Sequence, residues 1–397
     1  MKTVELKVAP KFLKQYKGKY PLIYKDAIMN VNMLKEEGTL VHLVDESNQF
    51  IAKGYYGKQN KGLGWVLSYN QGEKIDKIFF KNKISNAIGK RKAFYQNQDT
   101  NAFRIFNGEG DGIGGLSIDY FDGYYLIQWY SEGIYSFKNQ VLSALDEIGG
   151  YKAIYEKKRF DTKGKYIDDD DFVKGERGEF PIIVKENGMN YAVYLNDGAM
   201  VGIFLDQRDV RLAIREKYAK GKNVLNTFSY TGAFSVAAAI GGAKKTTSVD
   251  LAKRSKSKTI EQFSVNGIDA EQQDIIVMDV FDYFKYAKRK DLKFDLVVLD
   301  PPSFARSKKR TFSTAKDYPA LMMDAIEITE KGGIIVASTN NASFSMKKFK
   351  GFIDKGFVEM NTKYTILEEF SLPADFQANK HYLPSNYLKV LVIKKVN

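Results

Sequence analysis

From about residue 221 onward, short apolar runs alternate with longer stretches of helical spacing. Residues 224–226, 247–249, 274–278, 294–299 and 333–338 read as strands. A stretch beginning at Ala233, then 252–265, 281–289, 315–330 and 346–355, reads as helices. Such alternation predicts an α/β fold, a mostly parallel sheet with right-handed crossovers. Two terminal strands, the last over 387–394, leave little room for a helix between them and predict an antiparallel edge. Just upstream, 191–195 and 201–205 flank Asn196-Asp197-Gly198, which predicts a hairpin with an Asp-Gly turn.

The earlier part of the chain is patterned differently. Residues 1–72 show short strands, 39–44 and 50–56 among them, between Gly and Lys turns. They predict a small β domain. Residues 73–185 mix helical spacing at 77–92 and 136–148 with strands at 124–130 and 153–156, so an α+β middle domain is expected. The third domain is expected over 186–397. Asp168 to Asp171 form an acidic run, read as a solvated loop rather than a metal site.

Composition narrows the chemistry. The chain carries a net charge of +13. Residues 1–92 hold 18 Lys and Arg against 8 Asp and Glu, so +10 of that charge sits there. A basic end beside an α/β domain points to a polyanion, most simply nucleic acid, with plain solubility as the competing explanation. There is no cysteine, and only His42 and His381 supply imidazoles. Disulfides, thiolate metal sites and His-rich centres are therefore excluded, and no metal is expected. No apolar run approaches the roughly 18 residues of a membrane span, and the N-terminus lacks an apolar signal region. A cytoplasmic location is expected.

The chemistry gathers at the ends of the expected strands, where doubly wound sheets bind ligands. The first strand runs into Asn226-Thr227-Phe228-Ser229-Tyr230-Thr231-Gly232. One glycine is too few for the G-x-G-x-x-G turn that lets backbone approach a pyrophosphate. S-adenosylmethionine presents a carboxylate, an ammonium and a sulfonium instead. The amide of Asn226 and the hydroxyls of Thr227, Ser229 and Thr231 suit those groups. Asp250 ends the second strand, where a carboxylate can accept from both ribose hydroxyls, and Asp279 ends the third, where it can accept from the adenine amine. Either aspartate alone reads as well as a helix N-cap; their joint placement favours the ligand. After the fourth strand comes Asp300-Pro301-Pro302-Ser303-Phe304. Two prolines hold an extended backbone with exposed carbonyls, and Phe304 can stack on a base. Arg306, Lys308, Lys309 and Arg310 form a phosphate clamp or a solvated loop. Asn340 follows the fifth strand, where an amide can read a base edge or simply make a turn.

Taken together, these residues resemble a known family. They are similar to the bacterial class I large-subunit rRNA methyltransferases, built as a PUA domain, an α+β domain and a Rossmann-like methyltransferase. The resemblance spans nearly the whole chain. It includes Gly108-Glu109-Gly110-Asp111-Gly112-Ile113-Gly114-Gly115-Leu116, Phe204-Leu205-Asp206-Gln207-Arg208, the 226–232 run and Asp300-Pro301-Pro302-Ser303-Phe304. It implies a mostly parallel seven-stranded sheet. It also implies a cofactor site holding Phe204, Gln207, Asn226, Thr227, Phe228, Ser229, Tyr230, Gly232, Asp250, Asp279 and Asp300. The implied partner is 23S rRNA or its precursor, and a second copy of the chain stays a candidate partner.

One departure matters. The best-known members methylate cytosine C5 with a cysteine in the loop after the fifth strand, because C5 is a poor nucleophile until a thiolate adds at C6. Here that loop reads Ser338-Thr339-Asn340-Asn341-Ala342-Ser343, and the chain has no cysteine. The loop resembles that of a related domain acting on guanine N7. N7 carries an in-plane lone pair and needs alignment rather than a base. Guanine N7 is thus the expected target, with Asp300, Pro301, Pro302, Phe304 and Asn340 as catalytic candidates. An exocyclic amine, adenine N6 or guanine N2, is the rival target. DNA, protein or a small molecule as substrate, and a non-catalytic RNA-binding assembly factor, are the rival functions.

Overall fold

The computed structural model describes residues 3–58, 62–160, 171–198, 200–306 and 311–397. The chain folds as two compact units. The first comprises Met1–Ile182, Tyr194–Val201 and Ala374–Ser385; the second comprises Ile183–Val193, Gly202–Pro373 and Asn386–Asn397.

The first unit contains two sheets. β1 (Thr3–Lys7), β2 (Leu22–Ile23), β3 (Leu40–Val44), β4 (Phe50–Tyr56) and β5 (Gly64–Ser68) join in the order β1-β3-β4-β5-β2. Only β1 and β3 pair in parallel. In β1 the alternation is plain: Val4 and Leu6 are buried while Glu5 is exposed. β6 (Ala102–Asn107), β7 (Leu116–Phe121), β8 (Tyr124–Trp129), β9 (Ala153–Lys158) and β10 (Phe172–Gly175) form the second sheet, ordered β10-β9-β8-β7-β6. Helices Lys77–Lys90 and Lys138–Ile148 pack on each other. The first buries Phe80, Ile84 and Ala87 at helical spacing, and Asp76 caps it by accepting from Phe79 N at 3.1 Å. The expected 136–148 helix is preceded by a short separate turn, Glu132–Tyr135, capped by Ser131. Trp65 and Leu67 share one apolar cluster with Phe103, Ile118 and Trp129, so the two sheets have a common core.

The glycine-rich 108–116 loop is explained by close packing. A Cβ on Gly114 would lie 2.1 Å from the Trp65 ring, and one on Gly110 would lie 1.8 Å from the Gln377 carbonyl oxygen. That oxygen belongs to Ala374–Ser385, which returns late in the chain to complete this unit. Buried Arg91 secures the return. Its guanidinium donates to both Asp111 oxygens at 2.9 and 2.7 Å and to the Asp375 carbonyl at 2.6 Å. Arg91→Met would leave the buried Asp111 with the Asn107 N–H at 2.8 Å and the half-exposed Lys90 amine at 3.1 Å, and with no guanidinium. We expect a loss of about 3–5 kcal/mol in urea unfolding, with faster hydrogen exchange in Ala374–Ser385. A loss below about 1 kcal/mol would place the clamp among ordinary hydrogen bonds.

The second unit begins with a hairpin that differs from the expected one. β11 (Ile182–Glu186) pairs with β12 (Met189–Val193). Asn187 and Gly188 turn the chain at φ 51° and 76°, which suits a two-residue hairpin turn. The Asn196-Asp197-Gly198 turn does form, closed by Tyr194 N donating to Val201 O at 2.8 Å. No second strand follows it, because Gly202 (φ 120°) leads the chain into the 3-10 turn Leu205–Gln207.

The main sheet of this unit has seven strands: β13 (Asn223–Thr227), β14 (Lys245–Asp250), β15 (Asp274–Val277), β16 (Phe294–Leu299), β19 (Thr329–Thr339), β20 (Tyr364–Phe370) and β21 (Lys389–Lys395). Between β16 and β19 a small ribbon pairs β17 (Phe304–Arg306) with β18 (Thr311–Ser313). The sheet order is β15-β14-β13-β16-β19-β21-β20. It is the expected α/β architecture, with apolar β16 and β19 at its centre. The antiparallel strand is β21, which inserts between β19 and β20, so the sheet edge is β20 instead. The order reverses at β13 and β16, which makes their carboxyl ends the switch point. Among the described residues no helix is long and apolar enough to cross a membrane.

Candidate active site

Register brings the candidate residues together. Thr227 pairs with both Val249 and Leu299, Asp250 with Val277, and Leu299 with Ala337. The loops that begin at Phe228, Leu251, Met278, Asp300 and Asn340 therefore leave adjacent strands at one end of the sheet.

The 228–232 loop is held under strain. Phe228 and Tyr230 adopt φ 53° and 52°, a left-handed geometry that costs roughly 1–2 kcal/mol per non-glycine residue. Hydrogen bonds fix it: Ser229 N donates to Val249 O at 3.1 Å and Gly232 N to Ser229 O at 2.8 Å. Tyr230 N donates to Asp250 Oδ2 at 2.9 Å. Gly232, at φ 81°, then N-caps helix Ala233–Ile240. A Cβ there would come within 2.5 Å of the Thr259 methyl carbon. The hydroxyls of Thr227 and Thr231 are spent on structure, donating to Val298 O at 2.7 Å and Gly202 O at 2.6 Å. Asn226 is fully buried; its Nδ2 donates to Ser235 Oγ at 3.0 Å, while its Oδ1 has no partner among the described residues.

The two upstream aspartates behave differently. Asp250 caps no helix. It accepts from Tyr230 N and, through Oδ1, from Ala252 N at 2.8 Å, which ties the first loop to the second. Asp279 is the N-cap of helix Val280–Arg289, accepting from Phe281 N at 2.9 Å.

Asp300 meets Gln207 and Ser338. Gln207 Nε2 donates to Asp300 Oδ1 at 3.1 Å and to Ser338 Oγ at 2.8 Å. Gln207 is buried, and its Oε1 has no partner among the described residues. Burial pushes the Asp300 carboxyl up to about 6; the Ser338 hydroxyl opposes the shift and the Asp206 charge adds to it. The 204–208 segment is anchored by Arg211, which donates to both Glu186 oxygens at 2.7 Å and to Phe204 O at 2.7 Å. Phe204 is exposed, and its ring lies 5.4 Å from that of Tyr230.

Around the Pro-Pro step, Pro301 is buried and Pro302 exposed. Phe304 begins β17 and is 63% exposed, an unusual state for a large apolar ring. Exposed Arg306 ends that strand. Lys308, Lys309 and Arg310 lie outside the described residues. Ser303 Oγ donates to Asn340 Oδ1 at 2.6 Å, which joins the loop after β16 to the loop after β19.

Some supports carry no local signal in the sequence. Lys389 donates to Asn341 O at 3.0 Å and Tyr387 O at 2.8 Å, and burial pushes its amine down to about 8. Tyr230 OH accepts from Gly202 N at 2.9 Å. The Lys389–Asn341 and Gly202–Tyr230 pairs join positions far apart in the chain.

The site fits S-adenosylmethionine. The unpartnered amide oxygens of Asn226 and Gln207 are acceptors for an ammonium group. Asp250 keeps lone pairs beyond the two it uses, because each carboxylate oxygen can accept twice. The sheet order and the polar groups at consecutive strand ends define a class I methyltransferase. The family model for S-adenosylmethionine-dependent methyltransferases matches residues 104–376, and the model for PUA-like domains matches residues 6–69. The chain belongs to the S-adenosylmethionine-dependent methyltransferase family. It is 62% identical over 397 residues, all of both chains, to YwbD of Bacillus subtilis, a protein provisionally named a ribosomal RNA large subunit methyltransferase. It is 28% identical over 375 residues to ribosomal RNA large subunit methyltransferase I of Klebsiella pneumoniae, covering 94% of this chain and 93% of that protein. The crystal structure of SMU.776, provisionally assigned as a methyltransferase and complexed with SAH, superposes with a TM-score of 0.89 at 39% identity. That match covers 99% of this chain and 100% of that one.

Proposed function

We propose that this enzyme methylates a base of 23S rRNA in the cytoplasm, with guanine N7 as the accepting atom. The observation that carries this reading is the reactive end of the sheet. An exposed aromatic, Phe304, and a carboxyl pushed up to about 6, Asp300, stand there in a chain with no cysteine. A cysteine-dependent route to cytosine C5 has no nucleophile here. The large-subunit rRNA names of the relatives and the basic residues 1–92 support the RNA substrate.

Bound S-adenosylmethionine supplies an electrophilic sulfonium methyl. Phe204, Gln207, Asn226, the 227–232 loop, Asp250 and Asp279 would hold it. Phe304 would stack on the base, and Asn340, steadied by Ser303, would fix the base edge. Transfer of that methyl to the N7 lone pair would leave positive charge on the purine. The Asp300 carboxylate would offset that charge. Arg306 and the basic loop that follows would meet the phosphates.

One observation favours the exocyclic-amine reading. A carboxyl pushed up to about 6 is a competent proton acceptor near neutral pH. Mass-spectrometric nucleoside mapping of 23S rRNA, from a strain lacking the gene and from its parent, separates the two. Loss of one 7-methylguanosine is expected. Loss of an N6-methyladenosine or N2-methylguanosine would move the target to the amine, and an unchanged map would remove 23S rRNA as substrate.

A further inference from the structure

Packing explains the glycines of the 108–116 loop but leaves Glu109 without a role. Glu109 lines a cleft of about 430 Å³ within the first unit, inside the range of about 300–1,000 Å³ usual for small-ligand sites. Five separate stretches build it, three of them basic. Lys19 comes from the N-terminal part of the chain, Lys83 from helix Lys77–Lys90, and His381 from the returning segment Ala374–Ser385.

Several polar groups in the lining are already engaged. Tyr69 OH donates to Tyr20 O at 3.1 Å. Asn379 donates to Glu109 O at 3.0 Å and accepts from His381 N at 2.8 Å. Glu73 also lines the cleft and accepts from the Ser68 hydroxyl, so a ligand would meet the Glu109 carboxyl, the engaged Glu73 and basic side chains. Among the described residues, no ion pair joins Glu109, Lys19, Lys83 or His381 to another group. Burial pushes the Glu109 carboxyl up to about 7, with its own backbone N–H opposing the shift. Such a carboxyl becomes a strong acceptor once a ligand supplies N–H donors.

We propose that this cleft binds one unpaired guanine nucleotide of an RNA strand, with Glu109 accepting from the base and Lys19 and Lys83 meeting its phosphates. This rests on the RNA reading above. A carboxylate offers only acceptors, and of the four bases only guanine presents two adjacent N–H donors, N1 and N2, on its Watson–Crick edge. Uracil puts two carbonyls beside its single N–H and would be repelled. Two lysines in the lining supply the charge that a phosphodiester requires.

The test compares a short oligouridylate carrying one central guanosine with the plain oligouridylate, by fluorescence anisotropy at fixed salt. Wild type should bind the guanosine-bearing strand at least about tenfold more tightly. Glu109→Gln should lose that preference. Lys83→Ala should weaken both strands alike. Unchanged circular dichroism and hydrogen exchange in the first unit of both variants report an intact fold. Equal binding of the two strands by wild type, or a preference kept by Glu109→Gln, overturns the proposal. Binding of free GMP without any strand preference overturns the RNA source and leaves a nucleotide site. If wild type methylates rRNA yet shows no guanine preference, this inference alone fails. If no RNA is bound or methylated in any arm, the RNA reading itself fails.

Discussion

Asp300→Asn is expected to lower methyl transfer by at least about 10²-fold while raising thermal stability. The two effects share a cause. Burial holds the Asp300 carboxyl up to about 6 in the folded chain, against about 3.9 for an unperturbed aspartate. A raised folded-state value means that the native state binds the proton more tightly. The stabilisation is complete below about pH 4 and is lost as pH rises through about 6. At pH 7.5 the ionised group thus costs on the order of 3 kcal/mol. Asparagine removes that charge and keeps an oxygen for Gln207 Nε2, now 3.1 Å from Asp300 Oδ1. The affinity for S-adenosylmethionine should stay within about threefold, since the binding groups on the first three strands are untouched. In wild type, turnover should climb through about pH 6 as the carboxylate forms, and the residual rate of the variant should be flat there. Thermal melts, titration calorimetry and a pH–rate profile check the set. A variant that kept half its activity, or that melted lower than wild type, would sink the argument.

The same residue shows what was legible beforehand. The strand ending at Leu299, the Asp-Pro-Pro step and the neighbouring strand ends follow from apolar periodicity and proline chemistry, which act locally. The amide that donates to Asp300 does not. Gln207 lies 93 positions upstream, and only its family resemblance marked it; Ser338, its other partner, lies 131 positions from Gln207. The antiparallel pairing of the last strand was legible from the short connection, but its insertion between β19 and β20 is decided by which edge the two strands can share. The hairpin before the main sheet was misread because two glycine-containing turns lie close together. Both turns form, yet only Asn187-Gly188 is followed by a strand that pairs back. Likewise Thr227 and Thr231 have the composition of ligand groups, but buried hydroxyls must satisfy themselves, and nearby backbone carbonyls take them. The return of Ala374–Ser385 to the first unit depends on Arg91, nearly three hundred positions away. No window of sequence contains both ends of such a contact.

Asp250→Ala is expected to weaken S-adenosylmethionine binding by about 10²-fold, but two physical causes converge on that number. The carboxylate now accepts from Tyr230 N and Ala252 N, so its removal leaves two backbone donors without their acceptor and frees a strained loop. If the carboxylate also accepts from the ribose hydroxyls, two charge-assisted bonds at roughly 1.5–3 kcal/mol each disappear as well. A melting temperature lowered by several degrees would follow from the first cause alone. The second is isolated by a cycle in which the ligand is changed instead of the protein. Wild type should bind 2′-deoxy-S-adenosylhomocysteine at least about tenfold more weakly than S-adenosylhomocysteine, while Asp250→Ala should bind the two alike, because the hydroxyl has lost its acceptor. If both proteins suffer the same loss on the deoxy ligand, the hydroxyl is read elsewhere, and Asp250 acts only by holding Phe228 and Tyr230 in their left-handed geometry.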